Sequence, residues 1–160
     1  MKRLTLFLAV VLSFGAFGWV AVRSQESKPT VVGGLSASFA VFPSTNPSAK
    51  LISAALILTN ESNENIRVCT LCMVWKSGSN GKLDVSVTPN SWKSDSPTED
   101  QLAQHVETLY PGTSAIIPFM METGPTIELT GNYVSGEEVA RKRGFWGGSV
   151  TAKRLTYHLK

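Results

Sequence analysis

Reactive and titratable side chains are scarce in this chain. Its 160 residues include two cysteines and two histidines, with no G-x-S-x-G elbow and no P-loop. The local signatures of a nucleophile elbow and of a phosphate-cradling loop are therefore missing. Charged residues make up 17% and apolar residues 42%, which excludes both a disordered chain and a multi-span membrane protein. Thirteen glycines and eight prolines follow no G-x-y period, so collagen is excluded, and no internal repeat stands out. What remains is a chain of one-domain length, able to bury a core without metal or disulfide staples.

The formal charge of +3 needs dissection. Lys2, Arg3 and Arg23 lie in the first 24 residues, where there is no acid. From Gln25 onward, 12 basic residues face 12 acidic ones. The basic character belongs to the leader and does not point to a nucleic-acid partner. Residues 137–160 are locally cationic, with 6 basic and 2 acidic groups.

Lys2 and Arg3 precede residues 4–22, a 19-residue stretch without charge. A basic start followed by an apolar run is the layout of a secretory signal. Ala16 and Gly18 suit cleavage before Trp19, and Val22 and Ser24 suit cleavage before Gln25. The same run is long enough, as a helix, to span ~30 Å of hydrocarbon and remain as an anchor. In either case residues 1–24 are the signal or anchor, and the rest faces an extracytoplasmic space. No Cys follows the apolar run, so a lipoprotein anchor is absent.

Residues 25–34 are polar and then Gly-rich, which predicts a linker. From Leu35 the apolar residues alternate with period two, the signature of half-buried strands. Leu35, Ala37, Phe39 and Val41 share one face, and Ile52, Ala54, Leu56 and Leu58 another. Residues 43–48 predict a loop, and residues 60–65 a polar turn. Residues 66–75 read as one central strand, apolar on both faces in its middle. Asn80-Gly81 predicts a hairpin, and residues 113–119 predict another strand after the turn at Tyr110-Pro111-Gly112. Ser96 and Glu99 flank Pro97 as a capping box, predicting a short helix over 97–104, with Asp95 and Asp100 complementing its dipole. A second S-x-x-E, Ser135 to Glu138, predicts a single helical turn with Glu137/Arg141 and Glu138/Lys142 pairs, closed by Gly144. Near the end, Val150 and Ala152 keep one phase while Leu155, Tyr157 and Leu159 take the other. Such a switch predicts a bulge.

Two segments resemble bacterial extracytoplasmic immunoglobulin-like domains. Residues 56–68, LILTNESNENIRV, resemble their strand, N-x-S turn, strand unit. Residues 109–119, LYPGTSAIIPF, are similar to the L-x-P-G-x-S-x-x-x-P-F stretch of the same broad group. With the strand signals, the resemblance implies an all-β chain. The expected fold is a single antiparallel immunoglobulin-like β-sandwich of about seven strands over residues 35–160. One or two short helices would lie in its connections, and a hydrophobic helix would precede it.

Cys69 and Cys72 form a C-x-x-C, for which a disulfide, two buried thiols, and redox or metal chemistry are all open readings. In a regular strand, residues three apart lie ~10 Å from one another, too far for the ~7 Å that a disulfide allows. A bulge or turn at Thr70-Leu71 would restore the pair. His105 and His158 match no zinc spacing, and adding Met73, Met120 and Met121 does not produce a blue-copper pattern. Arg141, Lys142 and Arg143, followed by Phe145 and Trp146 among glycines, form the most interaction-like feature. The alternative is one solvated helical turn followed by aromatics that plug an end of the fold. Asn60-Glu61-Ser62 is a glycosylation sequon at the predicted turn.

The reading is an exported, periplasmic or secreted, non-enzymatic binding or structural module of the cell envelope. It needs no cofactor or metal, and its partner is a protein or glycan. Membrane contact comes only through residues 4–22. The competing reading is an envelope thiol or metal protein centred on Cys69 and Cys72.

Overall fold

Alternation decides most of the architecture. In the computed structural model, which describes residues 22–23, 30–42, 51–79, 81–89, 105–122 and 124–158, every second side chain of Ser114–Glu122 is buried. The leader before residue 22, the loop at 43–48 and the helix expected at 97–104 lie outside the described residues.

The strands are β1 (Val22–Arg23), β2 (Val31–Val32), β3 (Leu35–Phe42), β4 (Leu51–Asn60), β5 (Ile66–Cys69) and β6 (Cys72–Ser79). They continue with β7 (Lys82–Pro89), β8 (Val106–Leu109), β9 (Ser114–Glu122) and β10 (Thr126–Ser135). The helix α1 (Glu137–Arg143) precedes β11 (Gly148–Lys153) and β12 (Leu155–His158). The protein is predominantly β, as its periodicity predicts.

Ten strands form one mixed sheet in the order β6-β7-β10-β11-β3-β4-β9, with β12 beside β10 and with β1 and β2 beside β3. β5 and β8 make a separate two-stranded sheet. β5 runs into β6 and β8 runs into β9, so the small sheet links the two outer strands of the large one. Those outer strands also meet directly, where Lys76 Nζ of β6 donates to the Met120 carbonyl of β9 at 2.7 Å. The result is a nearly closed barrel. Pro118 lies in β9, an edge strand, where a missing N–H costs no ladder bond.

The interior holds Phe39, Leu56, Leu58, Met121, Leu129 and Tyr133, with Phe39 and Phe119 edge to face at 6.4 Å. Each inward side chain of these strands belongs to the alternating set. Burial of one Leu or Phe contributes roughly 1.5–3 kcal/mol.

The expected antiparallel immunoglobulin-like sandwich of about seven strands is corrected: the strands form one mixed, nearly barrel-like sheet with a small second sheet, and two of the pairs are parallel. β7 and β10 pair in parallel, from Lys82 opposite Glu128 to Val87 opposite Tyr133. β3 and β11 also pair in parallel. Both pairs join segments far apart in the chain, so no hairpin signal announces them. The single strand expected at 66–75 is also corrected. It breaks at Thr70-Leu71 into β5 and β6, which belong to different sheets. Both Thr70 N–H (2.8 Å) and Thr70 Oγ1 (2.9 Å) donate to the His105 carbonyl, pinning the break to the start of β8. β6 is an outer strand, and Trp75 is 58% exposed.

Residues 31–32 of the expected linker form β2. Val32 pairs with Leu35 across Gly33-Gly34, whose φ values of 53° and 78° make a two-residue hairpin turn. The motif Val-Val-Gly-Gly-Leu carried that signal. Ser79 pairs with Lys82, the register that the predicted hairpin requires. The phase switch is also present. Two residues of β10, Thr130 and Gly131, face three of the returning chain, Ala152, Lys153 and Arg154. Among the described residues, no helix is long and apolar enough to cross a membrane.

Candidate functional site

The corner between β5 and β6 puts the two cysteines within one turn of each other. Cys72 Sγ donates to the Cys69 carbonyl at 3.3 Å, and Cys69 Sγ lies 3.7 Å from the Leu71 carbonyl. Both are free thiols. Tyr133 Oη, on β10, donates to the same Cys69 carbonyl at 3.1 Å. That carbonyl thus gathers a phenol and a thiol and ties the small sheet to the barrel wall.

The environment suits thiols rather than thiolates. Burial pushes both cysteines up from their ordinary range; at Cys69 a bond with the Leu71 backbone and the nearby Arg143 oppose that rise. A nucleophilic or metal-ligating cysteine works as the thiolate. Burial likewise raises the Tyr133 hydroxyl, with the two cysteines as further causes. Ser135, two residues along the same face of β10, is 2% exposed, and its side chain beside the Tyr133 hydroxyl opposes that rise.

α1 lies over Cys69. Cys69, Ala140 and Phe145 form a small buried cluster, flanked by Leu71 and Val106. The helix is not capped by Ser135, as the second S-x-x-E predicts. Its N-cap is Gly136, without a side-chain cap bond, because Ser135 is the last residue of β10. Gly144 closes the helix in the left-handed conformation, and Lys142 Nζ meets Glu138 Oε1 at 2.7 Å. Both ends of that ion pair are exposed, so its contribution is small.

The structure joins the two features that the sequence shows separately. Arg143 is close enough to Cys69 to influence its thiol. Phe145 is 7% exposed and Trp146 is half-buried, its ring 5.8 Å from that of Tyr133. Trp146 Nε1 stands 2.9 Å from where a side chain on Gly33 would begin, and Trp146 N–H donates to the Arg67 carbonyl at 2.7 Å. Trp146 thus packs against the main core, and Phe145 against Cys69 and Ala140. Arg141 and Lys142 are the exposed members of the cationic run, and Arg143 is half-buried. A cation absent from the sequence reading joins them: Arg67 of β5, with Nη1 3.1 Å from the Cβ position of Gly144. Its position 74 residues before the start of the triplet hid it.

Three turns converge on Asn60. Asn60 is fully buried, with Nδ2 donating to the carbonyls of Glu64 (2.6 Å) and Leu109 (2.8 Å). Its Oδ1 accepts from Ser62 N–H (2.9 Å) and Ser62 Oγ (2.7 Å). Its backbone bonds Thr113 and Gly112 of the β8–β9 turn, and Glu61 N–H donates to the Gly34 carbonyl. The sequon asparagine is therefore consumed by the fold and offers no free amide to a sugar. The Asn-x-Ser spacing was the signal, since it also describes a side chain closing a local turn.

The remaining candidates are dispersed. Met121 is buried in the core, whereas Met120 is exposed on the outer face of β9. His158 Nδ1 bonds Thr126 Oγ1 at 3.1 Å, away from the cysteines. Among the described residues, no three His, Cys, Asp or Glu side chains gather as a metal-ligand group.

No known protein family matches the chain, and no curated protein or solved structure is similar to it.

Proposed function

We propose that the protein is an exported, non-enzymatic binding module of the cell envelope, with the barrel end bearing α1 as its working surface. The observation that carries this reading is the construction of α1. Its underside is anchored by Ala140, with Phe145 following, while Arg141 and Lys142 face solvent and Arg67 adds a cation from the neighbouring sheet. The interior is filled by Phe39, Leu56, Met121 and Tyr133, so a partner meets the outer faces and ends. The partner is an anionic protein or glycan, drawn by charge to a rigid cationic ridge. The leader supplies the export signal, and residues 4–22 supply a tether if retained.

Reversing Arg141, Lys142 and Arg143 to Glu is expected to reduce retention on envelope fractions at low salt roughly tenfold. Wild-type retention should fall as salt rises through the range where the screening length drops below about 10 Å. Equal retention of the reversed variant would remove the ridge from the binding surface.

A further inference from the structure

We infer that Cys69 and Cys72 are an oxidation site whose disulfide changes the seating of α1, and with it the presentation of the cationic ridge. This step is independent of which partner the ridge binds. The two thiols are neighbours in space yet serve different structures. Cys69 is buried beneath α1 with Ala140 and Phe145, and Cys72 packs against the main core. A disulfide draws the sulfurs to ~2.05 Å, so at least one must leave its present contacts. Cys72 is held in the ladder with β7, opposite Pro89, and faces the filled barrel. Cys69 ends β5 at the Thr70-Leu71 corner, and its sulfur is the one that turns. Turning it removes a contact from the underside of α1. Oxidation and seating of the helix are thereby coupled: the reduced pair favours the seated helix and the disulfide the loosened one.

The chemistry balances with a small-molecule disulfide such as glutathione disulfide. One cysteine loses its proton and attacks a glutathione sulfur, expelling a glutathione thiolate that takes a proton. The second cysteine then attacks the mixed disulfide, forming the Cys69 to Cys72 bond and releasing the second glutathione. Two cysteine thiols are oxidised and one glutathione disulfide is reduced to two thiols. Because burial disfavours the thiolates in the folded protein, exchange is fastest while the chain is still open.

The test uses the full chain, refolded with glutathione disulfide or with a reductant, and a Cys72→Ala variant treated the same way. Thiols are titrated under denaturing, non-reducing conditions, and brief trypsin digestion is read by fragment mass at Arg141, Lys142 and Arg143. The expected result is no free thiol in the oxidised monomer and cleavage within α1 several-fold faster than in the reduced protein. Cys72→Ala should be cleaved at the reduced rate under both conditions, which also shows that it folds. Two free thiols after oxidative refolding, or thiol loss accompanied by a covalent dimer, overturns the oxidation site. Equal cleavage of α1 in the oxidised and reduced monomers overturns the coupling. Neither outcome bears on retention by the envelope, which tests the ridge itself.

Discussion

Asn60→Leu is expected to lower the unfolding free energy by about 3 kcal/mol, from the desolvation cost of buried groups left without partners. The substitution keeps the side chain's bulk but deletes both donors and the acceptor. The Leu109 carbonyl loses a buried 2.8 Å bond from Nδ2, the Glu64 carbonyl keeps only the Ser62 hydroxyl, and the Ser62 N–H loses its partner. Asn60→Asp should fare no better, since it places an oxygen where the amide nitrogen now donates to two carbonyls. Thr59→Ala provides the contrast. Its hydroxyl pairs with Ser114 Oγ at 2.8 Å on an exposed face, and water replaces that bond at a cost within about 0.5 kcal/mol. Urea denaturation of the three variants reads the differences directly. A loss below about 1 kcal/mol for Asn60→Leu would mean that the three turns hold together without the side chain.

The second large effect is at Gly131. A Cβ there would lie 1.9 Å from the Val85 carbonyl oxygen and 2.9 Å from Val85 N. Those atoms belong to β7, the parallel partner of β10, in which Gly131 stands opposite Val85. Backbone cannot yield as a flexible side chain does, so Gly131→Ala is expected to cost more than about 3 kcal/mol or to prevent folding. Gly112→Ala separates crowding from backbone conformation. Gly112 has φ 76° but nothing within 4 Å of its Cβ position, so only the left-handed strain of about 1 kcal/mol applies. Thermal or urea unfolding of both variants checks this. Equal losses at the two sites would show that conformation, and not the close strand approach, accounts for Gly131.

Gly131 also shows where sequence reading stops. Its neighbours Ile127, Leu129 and Tyr133 alternate with partly exposed residues, and the opposing chain shows its phase switch between Ala152 and Leu155. The bulge was legible from one strand. The need for glycine was not, because it is imposed by Val85, 46 residues earlier. The candidate site divides the same way. The C-x-x-C and the Arg141 to Trp146 run are visible motifs, yet nothing in their spacing tells that Ala140 and Phe145 rest on Cys69. Nor does it tell that Tyr133 donates to Cys69. Phe145 and Trp146 admit both readings, contact residues or plugs, since an aromatic among glycines has the same pattern in both roles.

Features written in consecutive residues were recoverable from the sequence: the inward faces of β3 and β4, the Ser79 to Lys82 hairpin, and Gly144 ending α1. Each depends on pleat geometry or on turn conformation, which a few neighbouring side chains dictate. The parallel neighbours, the splitting of residues 66–75 between two sheets, and the meeting of Arg67 with α1 came only with the folded chain. Ladder bonds are chemically alike whichever strand supplies them, so adjacency is chosen by how the whole set of apolar faces closes around one interior.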